Sequence, residues 1–163
     1  PELRLGFSAY LQHLFQGMDL TDGAGNLSPL LLLANNLRAC AVTMLYGLIP
    51  FVRLPALALG VNAVLLGGLA ACYAATDTTM LLYAASLLPH GIFELPALIL
   101  AFSMGLYICG HLTRRCRRDP AALPLGACLG LAARLLVFLL LPLLILAALT
   151  EAYVTPLAAG LFL

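Results

Sequence analysis

The sequence is poor in charged residues and has no lysine. Only 9% of its 163 residues are charged, and all eight basic residues are arginines. Soluble domains carry about a quarter charged residues and a little under half apolar ones, whereas 63% of this sequence is hydrophobic. The composition therefore excludes a soluble globular protein and predicts an all-α integral membrane protein. The formal net charge of +1 also excludes a nucleic-acid partner of the usual kind, which needs a strongly basic surface.

The sequence also lacks any stretch outside its apolar runs that is long enough to bury a core. We therefore expect two parts, an N-terminal segment of residues 1–27 and a transmembrane helical bundle of residues 28–163. In the first part, apolar residues recur at spacings of three and four between polar ones. This pattern predicts an amphipathic helix that lies in the membrane interface, and a helix packed on the bundle is the alternative.

The five cysteines lack the C-x-x-C spacing of a redox or zinc motif. Four of them lie in apolar runs, where a free cysteine acts as a small hydrophobic residue. Cys109, His111 and Cys116 are conceivable metal ligands, but their spacing matches no zinc pattern and the neighbouring arginines would repel a cation. We therefore interpret the cysteines as packing residues.

Apolar runs of bilayer length define the predicted membrane crossings. A crossing helix needs about 20 residues, and four runs satisfy this: Pro29 to Ile49, Pro55 to Ala75, Pro89 to Leu112, and a last helix after Asp119-Pro120 that runs to about Leu149 with a kink at Pro142. Met80 to Leu88 is too short for an ordinary crossing. We count it as a thin crossing, which predicts a bundle of about five transmembrane segments. If it instead forms one proline-broken helix with the next run, there are four crossings and the N-terminus lies outside.

Four arginines, Arg114, Arg115, Arg117 and Arg118, form the strongest charge run in the sequence. Loops rich in arginine and lysine remain in the cytoplasm during membrane insertion. The run therefore predicts a cytoplasmic loop of a multi-pass cell-membrane protein, with membrane lipid as its surroundings. A lipid-binding or nucleic-acid-binding role for these arginines is the less favoured alternative.

A polar, proline-flanked insert interrupts the third of these runs, in the stretch Leu88-Pro89-His90-Gly91-Ile92-Phe93-Glu94-Leu95-Pro96. His90 and Glu94 are four residues apart, so both side chains lie on one face of a helix. Ionisable groups at the centre of a bilayer cost several kcal/mol, so they normally face a partner or a wet cavity. Gly91 would let a neighbouring backbone come close.

Other polar residues lie inside or at the ends of the apolar runs. Four of the residues in these positions are charged, two arginines and two glutamates, so their charges balance. We predict that Arg38 and Arg134 pair with Glu94 and Glu151, because uncompensated charges are costly in lipid. Snorkelling to the surface is the alternative for Arg38. The complete predicted polar cluster comprises Asn36, Arg38, Asn62, His90, Gly91, Glu94, Arg134 and Glu151.

Gly126 and Gly130 form a small-xxx-small face on the last helix, and Arg134 lies one turn further along the same face. Such faces permit close contact between helices in membranes. We therefore expect another helix or a second subunit to pack there. If a second subunit packs there, the protein is a homodimer.

An intramembrane enzyme is the least supported reading of the polar insert. His90 and Glu94 could supply two metal ligands from one helical face, with Glu151 as the nearest third, but an H-E-x-x-H pair is absent. Ser86 and Ser103 have no nucleophile motif around them. We expect no catalytic residue, no metal and no cofactor. The insert is then either a polar contact that stabilises the bundle or a binding pocket.

The stretch Leu88-Pro89-His90-Gly91-Ile92-Phe93-Glu94-Leu95-Pro96-Ala97 resembles the hallmark of the stage II sporulation protein M family. Weaker matches extend the resemblance from about Leu31 to Pro156: Asn35-Asn36-Leu37-Arg38, Asn62 and Glu151-Ala152-Tyr153-Val154-Thr155-Pro156. In endospore formers, the family member is a polytopic membrane protein that is required for engulfment and associated with sporulation proteins D and P, which degrade septal peptidoglycan.

The resemblance implies a membrane scaffold that localises cell-wall hydrolases at the outer face of the septal membrane. Family members also occur in organisms that do not sporulate, so the family name does not by itself fix the role. The alternative function is a small transporter or channel, because broken helices with polar residues at depth commonly build ion sites. In that case His90, Glu94 and Glu151 would bind a cation or proton, with the arginines as counter-charge.

Overall fold

The computed structural model describes residues 28–74 and 80–160, in which all the regular structure is helical. Four helices in these ranges are long and apolar enough to cross a bilayer: Pro29–Leu48, Leu54–Ala71, Leu87–Cys116 and Leu125–Leu157. The prediction of an all-α protein with helices long enough to cross a membrane is therefore confirmed for the described residues. The amphipathic helix predicted for residues 1–27 lies outside the described residues.

Helix α1 runs from Pro29–Leu45 and ends in a tight 3-10 turn, Tyr46–Leu48. The hydroxyl of Ser28 accepts a hydrogen bond from the Leu31 N–H at 3.5 Å, and proline is favourable at the first helical position because its missing N–H would be unpaired there. The buried residues recur at helical spacing and form one face: Leu32, Asn36, Cys40, Thr43 and Met44. This face turns α1 toward the bundle.

A short turn of residues 49–53 joins α1 to helix α2, Leu54–Ala74. Phe51 and Arg53 have positive φ angles of 70° and 48°, which few residues other than glycine adopt. The N–H of Phe51 donates a hydrogen bond to Thr113 Oγ1 at 3.0 Å. The turn is thereby fastened to the end of the helix that follows α2, Met80–Cys116.

Helix α3 is a continuous helix, Met80–Cys116, that contains both Pro89 and Pro96. The predicted separate crossing at Met80 to Leu88 is therefore not formed, because this stretch makes up the first turns of α3. The count of five segments is not confirmed, and the bundle has four helices of crossing length among the described residues. A proline removes one backbone hydrogen bond, but neighbouring helices can stabilise the chain around it inside a membrane protein.

The C-terminal helix comprises α4 (Leu125–Leu135), a π-helical turn (Leu136–Leu140), α5 (Leu141–Leu149), a second π-helical turn (Thr150–Val154) and α6 (Thr155–Gly160). It thus continues well beyond the predicted end at Leu149. Each π turn ends two residues before a proline, Pro142 or Pro156. Since a proline clashes with the carbonyl four residues earlier, a wider turn accommodates it without breaking the helix.

The helices have defined relative directions. Thr43 lies beside Gly105, and Phe51 contacts Thr113, so α1 and α3 run in the same direction. The C-terminal helix runs in the opposite direction, because the segment before it contacts the end of α3 and its own last turns contact His90. The bundle therefore has an arginine end, which contains Arg53 and Arg114 to Arg118, and a histidine end, which contains His90.

The core consists of small and medium-sized side chains from three helices: Cys40, Met44, Ala97, Ala101, Met104, Ile108, Cys128, Ala132, Leu140 and Leu144. Cys40, Cys109 and Cys128 are buried free thiols, as expected for packing residues. Gly47 and Gly105 form the closest helix crossing, because a Cβ on Gly47 would overlap the Gly105 carbonyl. Two glycines at one crossing let the backbones touch.

Candidate functional site

His90 and Glu94 lie on one face of α3, as their spacing predicted. His90 Nε2 is 4.0 Å from Glu94 Oε2, and the two side chains are 12% and 24% exposed. Glu94 lies seven residues inside the crossing segment that begins at Leu87, a depth of about 10 Å at the helical rise. The pair therefore lies within this crossing segment, nearer to its histidine end than to its arginine end.

Glu151 reaches this pair from the C-terminal helix. One ligand atom from each of His90, Glu94 and Glu151 lies within 4.8 Å of the other two. Glu151 belongs to the second π turn, Thr150–Val154, which holds one more residue than an α-helical turn. Each extra residue rotates the side chains that follow it by about 100°, and π turns are frequent at functional sites. The turn thus helps to set the direction of Glu151.

Thr155 completes the site and orients the imidazole. His90 Nδ1 lies 3.3 Å from Thr155 Oγ1, and this hydroxyl donates its own proton to the Thr150 carbonyl at 3.3 Å. A hydroxyl has a single proton, so while it donates to the Thr150 carbonyl the oxygen accepts from His90, and the ring proton is then on Nδ1. Nε2 then has a free lone pair on the side of Glu94. A histidine with its second nitrogen fixed in this way is preorganised to accept a proton or bind a metal ion.

Arg38 and Arg134 are not part of this site. Both are exposed, and neither makes an ion pair with a carboxylate of residues 28–74 or 80–160. Each follows a buried residue by two positions, Asn36 on α1 and Ala132 on α4, and two helical steps turn a side chain by about 200° to the opposite face. The predicted pairing of two arginines with two glutamates is therefore not formed.

The two predicted asparagines differ in position. Asn36 is 9% exposed, and its side chain makes no hydrogen bond within the described residues. Thr43 lies beside Gly105 on the parallel helix α3. Asn36 is seven residues before Thr43, so it lies level with Leu98, which is seven residues before Gly105. Leu98 is one helical turn from Glu94. Asn62 instead donates to the Ala58 carbonyl of its own helix at 3.0 Å. Asn36 thus contributes a buried amide near the site, whereas Asn62 does not.

The predicted packing glycines are less crowded than their sequence pattern suggested. A Cβ on Gly91 would meet only Leu87 and Leu95 side chains of its own helix, at 3.7 and 3.9 Å. A Cβ on Gly126 or Gly130 would meet nothing within 4 Å. No described helix of the chain packs on the small-residue face of α4, so this face is open to a partner or to lipid.

The chemistry of the site is that of a cation or proton acceptor. One imidazole lone pair and two carboxyl groups converge, and no arginine of the described segments neutralises them. Zn²⁺ binds ligands of these kinds. In a tetrahedral site with bonds near 2.0 Å, the ligand atoms lie about 3.3 Å from one another. The ligand atoms of this site lie up to 4.8 Å apart, so side-chain movements of about 1 Å would bring them to the separation that zinc requires. Thr155 was missed as a site residue, although the predicted run of residues 151–156 contains it.

Comparison with known proteins identifies one protein-family model. The model described as "Stage II sporulation protein M" matches residues 7–156, and its match ends one residue after Thr155. No curated protein and no solved structure matches the chain. The matched range includes the polar insert of α3, the second π turn and the arginine run.

Proposed function

This protein belongs to the stage II sporulation protein M family, and we propose that it is a non-catalytic membrane scaffold that holds cell-wall hydrolases at the outer face of the membrane. The family resemblance supplies the partners, namely hydrolases of the kinds of sporulation proteins D and P, and engulfment as the process. The apolar helices and the family together indicate a multi-pass membrane protein. The scaffold role needs, in addition, a surface that takes a partner.

Arg134 is the residue that most strongly supports a partner-binding surface. It lies nine residues into the last crossing segment, Leu125–Leu157, or about 14 Å from its start, and its side chain is exposed on the outside of the bundle. An arginine facing hydrocarbon at this depth costs several kcal/mol. A second polypeptide that offers backbone carbonyls or other hydrogen-bond acceptors to the guanidinium would remove much of that cost.

The surface around Arg134 has the composition of a helix-packing face. Gly126, Gly130, Arg134 and Phe138 follow one another at four-residue spacing and are all exposed, Phe138 by 77%. Small residues permit close approach of a helix, and the arginine would give the contact its specificity. We propose that a second copy of the chain packs here, which gives the homodimer that the glycine spacing predicted.

The distribution of arginines supports an orientation in which the histidine end faces the outside of the cell. Arg53 joins Arg114 and Arg117 at the arginine end, so basic residues from two connections lie on one side of the bundle. By the positive-inside rule, we propose that this side is cytoplasmic. The histidine end, with the start of α1 and the last turns of the C-terminal helix, then faces outward, where peptidoglycan lies.

The scaffold proposal is tested by purifying the tagged full-length chain from cross-linked native membranes and identifying the proteins that come with it. We expect cell-wall hydrolases to be enriched over a control purification with an unrelated multi-pass protein. Gly130→Leu should reduce dimer cross-linking, whereas Gly67→Leu, which alters an equally open glycine on α2, should not. Absence of hydrolases from all purifications would contradict the scaffold role.

Cation or proton transport is a second candidate, favoured by the convergence of His90, Glu94 and Glu151 inside the apolar layer. Polar residues that meet at depth on interrupted helices are typical of transporter sites. Proteoliposomes loaded with pH-sensitive and metal-sensitive dyes separate the two functions. A scaffold gives no flux above empty vesicles, whereas a transporter gives flux that Glu94→Gln abolishes.

A further inference from the structure

The arginine end contains a cleft that the proposed function does not use. Its volume is about 530 Å³, and three arginines line it: Arg53, Arg114 and Arg117. Phe51, His111 and Thr113 contribute to the same wall. The three guanidinium groups come from two separate parts of the chain, the turn after α1 and the end of α3.

The fold holds the two sources of arginine together by specific contacts. The Phe51 N–H donates to Thr113 Oγ1 at 3.0 Å, and the Arg117 guanidinium lies 5.7 Å from the centre of the Phe51 ring. Arg114 and Arg117 are three residues apart at the end of α3 and so project from one side of it. The turn of residues 49–53 therefore brings Arg53 to a pair that is already in place.

The positive charge of the cleft is not paired with a carboxylate of residues 28–74 or 80–160. No carboxylate is among the residues that line the cleft, and its three arginines make no ion pair within the described ranges. Asp119, two residues after Arg117, uses Oδ1 to accept the Ala121 N–H at 2.9 Å. Like charges that share a cleft repel one another unless an anion lies between them.

Arginine also fits a particular class of anion. Its planar guanidinium donates two parallel hydrogen bonds to the oxygens of a phosphate, which makes it the preferred residue for phosphate recognition. Thr113 adds a hydroxyl to the wall of the cleft. Three arginines and a hydroxyl can donate to several oxygens of one phosphate group at once.

The position of the cleft indicates where such a group would come from. Arg114 lies two residues before the end of the crossing segment Leu87–Cys116, so the cleft is at the level of lipid headgroups. Leu106 and Tyr107 extend its wall toward the apolar layer. Basic pockets between membrane helices on the cytoplasmic side are known to bind the headgroups of anionic lipids.

We propose that this cleft is a specific site for a phosphate group, with an anionic phospholipid headgroup as the favoured source and a soluble phosphate compound as the other. The site does not depend on the scaffold proposal, because it uses none of the residues at the histidine end or on the Gly126 face. Occupancy by a lipid would offset part of the positive charge of the three arginines and tie the turn of residues 49–53 to the membrane surface.

The test compares two double variants of the full-length protein that lose the same charge. Arg53→Gln with Arg114→Gln removes two cleft arginines, whereas Arg115→Gln with Arg118→Gln removes two arginines of the same run that do not line the cleft. Each protein is placed in nanodiscs of phosphatidylcholine with a minor fraction of phosphatidylglycerol. The anionic lipid that stays bound after transfer to neutral detergent is then counted by native mass spectrometry.

We expect the cleft variant to lose about tenfold in retained phosphatidylglycerol and the control variant to lose less than about twofold, as expected for removal of charge-assisted hydrogen bonds at one site only. Equal losses in both variants would mean diffuse attraction to basic residues and would overturn the proposal. Equal retention by all three proteins would overturn it as well. If the double variant does not fold, Arg114→Gln alone replaces it in the comparison, and we then expect about a threefold loss of retained phosphatidylglycerol.

A second arm distinguishes the two sources of phosphate. Inorganic phosphate and pyrophosphate are titrated into the lipid-free protein in neutral detergent and followed by isothermal titration calorimetry. Binding that the cleft variant loses and the control keeps identifies a soluble phosphate compound as a ligand. If wild type binds neither soluble anion nor phosphatidylglycerol, there is no phosphate site.

Discussion

His90 and Thr155, 65 residues apart in the chain, join α3 to the C-terminal helix by a contact of 3.3 Å between Nδ1 and Oγ1. The same hydroxyl donates to the Thr150 carbonyl. The imidazole is therefore held at one nitrogen while Nε2 faces the carboxyl group of Glu94, 4.0 Å away, and Glu151 completes the cluster. This contact between a ring and a hydroxyl joins the two helices at the polar cluster.

Loss of the Thr155 hydroxyl should weaken this junction. We expect Thr155→Val to lower the free energy of unfolding by about 1 kcal/mol, the net value of a typical hydrogen bond, and Thr155→Ser to keep most of it. Unfolding in detergent by a chemical denaturant measures the change. Thr150→Val is the matched control, since its hydroxyl bonds only the Leu146 carbonyl of its own helix. Equal losses at both positions would contradict a special role for Thr155.

Metal binding at the cluster predicts a thermal shift with Zn²⁺. A ligand that binds only the folded state stabilises it by about 2.7 kcal/mol at one hundred times its dissociation constant, so the melting temperature should rise. His90→Ala and Glu151→Gln should abolish the shift. His111→Ala is the control, because His111 lies at the arginine end and accepts the Leu123 N–H. A wild-type protein that is free of metal by elemental analysis and unshifted by Zn²⁺ would exclude a metal site.

The arginines should be energetically independent of the carboxylates. We expect the effects of Arg38→Gln and Glu94→Gln on the free energy of unfolding to add within about 0.5 kcal/mol, as they do for residues without a shared contact. His90→Ala combined with Glu94→Gln should instead deviate from additivity. A double-mutant cycle measures both. Coupling of several kcal/mol between Arg38 and Glu94 would revive the predicted ion pair.

The Gly47 and Gly105 crossing should tolerate no added methyl group. A Cβ on Gly105 would lie 2.7 Å from the Thr43 carbonyl oxygen and 2.8 Å from a Pro55 side-chain atom, so Gly105→Ala should cost about 1 to 3 kcal/mol by overpacking. Gly110→Ala on the same helix meets nothing within 4 Å and should be neutral or slightly stabilising because alanine favours helices. The difference in melting temperature between these two variants is the measurement.

The proposed topology can be read from one cysteine. Cys116 is exposed at the end of α3, whereas Cys40, Cys109 and Cys128 are buried. With Cys72 replaced by serine, an impermeant maleimide should label Cys116 in inverted membrane vesicles but not in intact cells. Labelling in intact cells would place the arginine end outside and reverse the proposed orientation.

The sequence was sufficient for features that depend on local rules. Composition predicted the membrane class, the apolar run beginning at Pro29 predicted the start of α1, and the spacing of His90 and Glu94 placed both on one face. The count of five crossings was not confirmed, and the four helices of crossing length among the described residues agree with the alternative in which Met80 to Leu88 joins the next run. Pro89 and Pro96 lie inside α3, where the surrounding protein tolerates them.

The features that the sequence did not predict depend on which faces of the helices pack together. Charge balance suggested that Arg38 and Arg134 pair with the glutamates, but helical phase turns both arginines to the outside, two residues past buried neighbours. The Gly47 and Gly105 crossing has no local signature, since the two glycines are far apart in sequence. The cleft of Arg53, Arg114 and Arg117 was missed for the same reason, because a loop and a helix end meet only after α1 and α3 pack.

The second π turn makes the polar cluster depend on backbone pitch in a way that side-chain chemistry does not suggest. Its five residues, Thr150–Val154, turn the chain about as far as four α-helical residues would, so the turn takes up one residue. If these five residues changed to α-helical hydrogen bonding, every later side chain would swing by about 100°, and Thr155 would point away from His90. The wide turn, more than any one side chain, thus holds the last turns of the chain in register with α3.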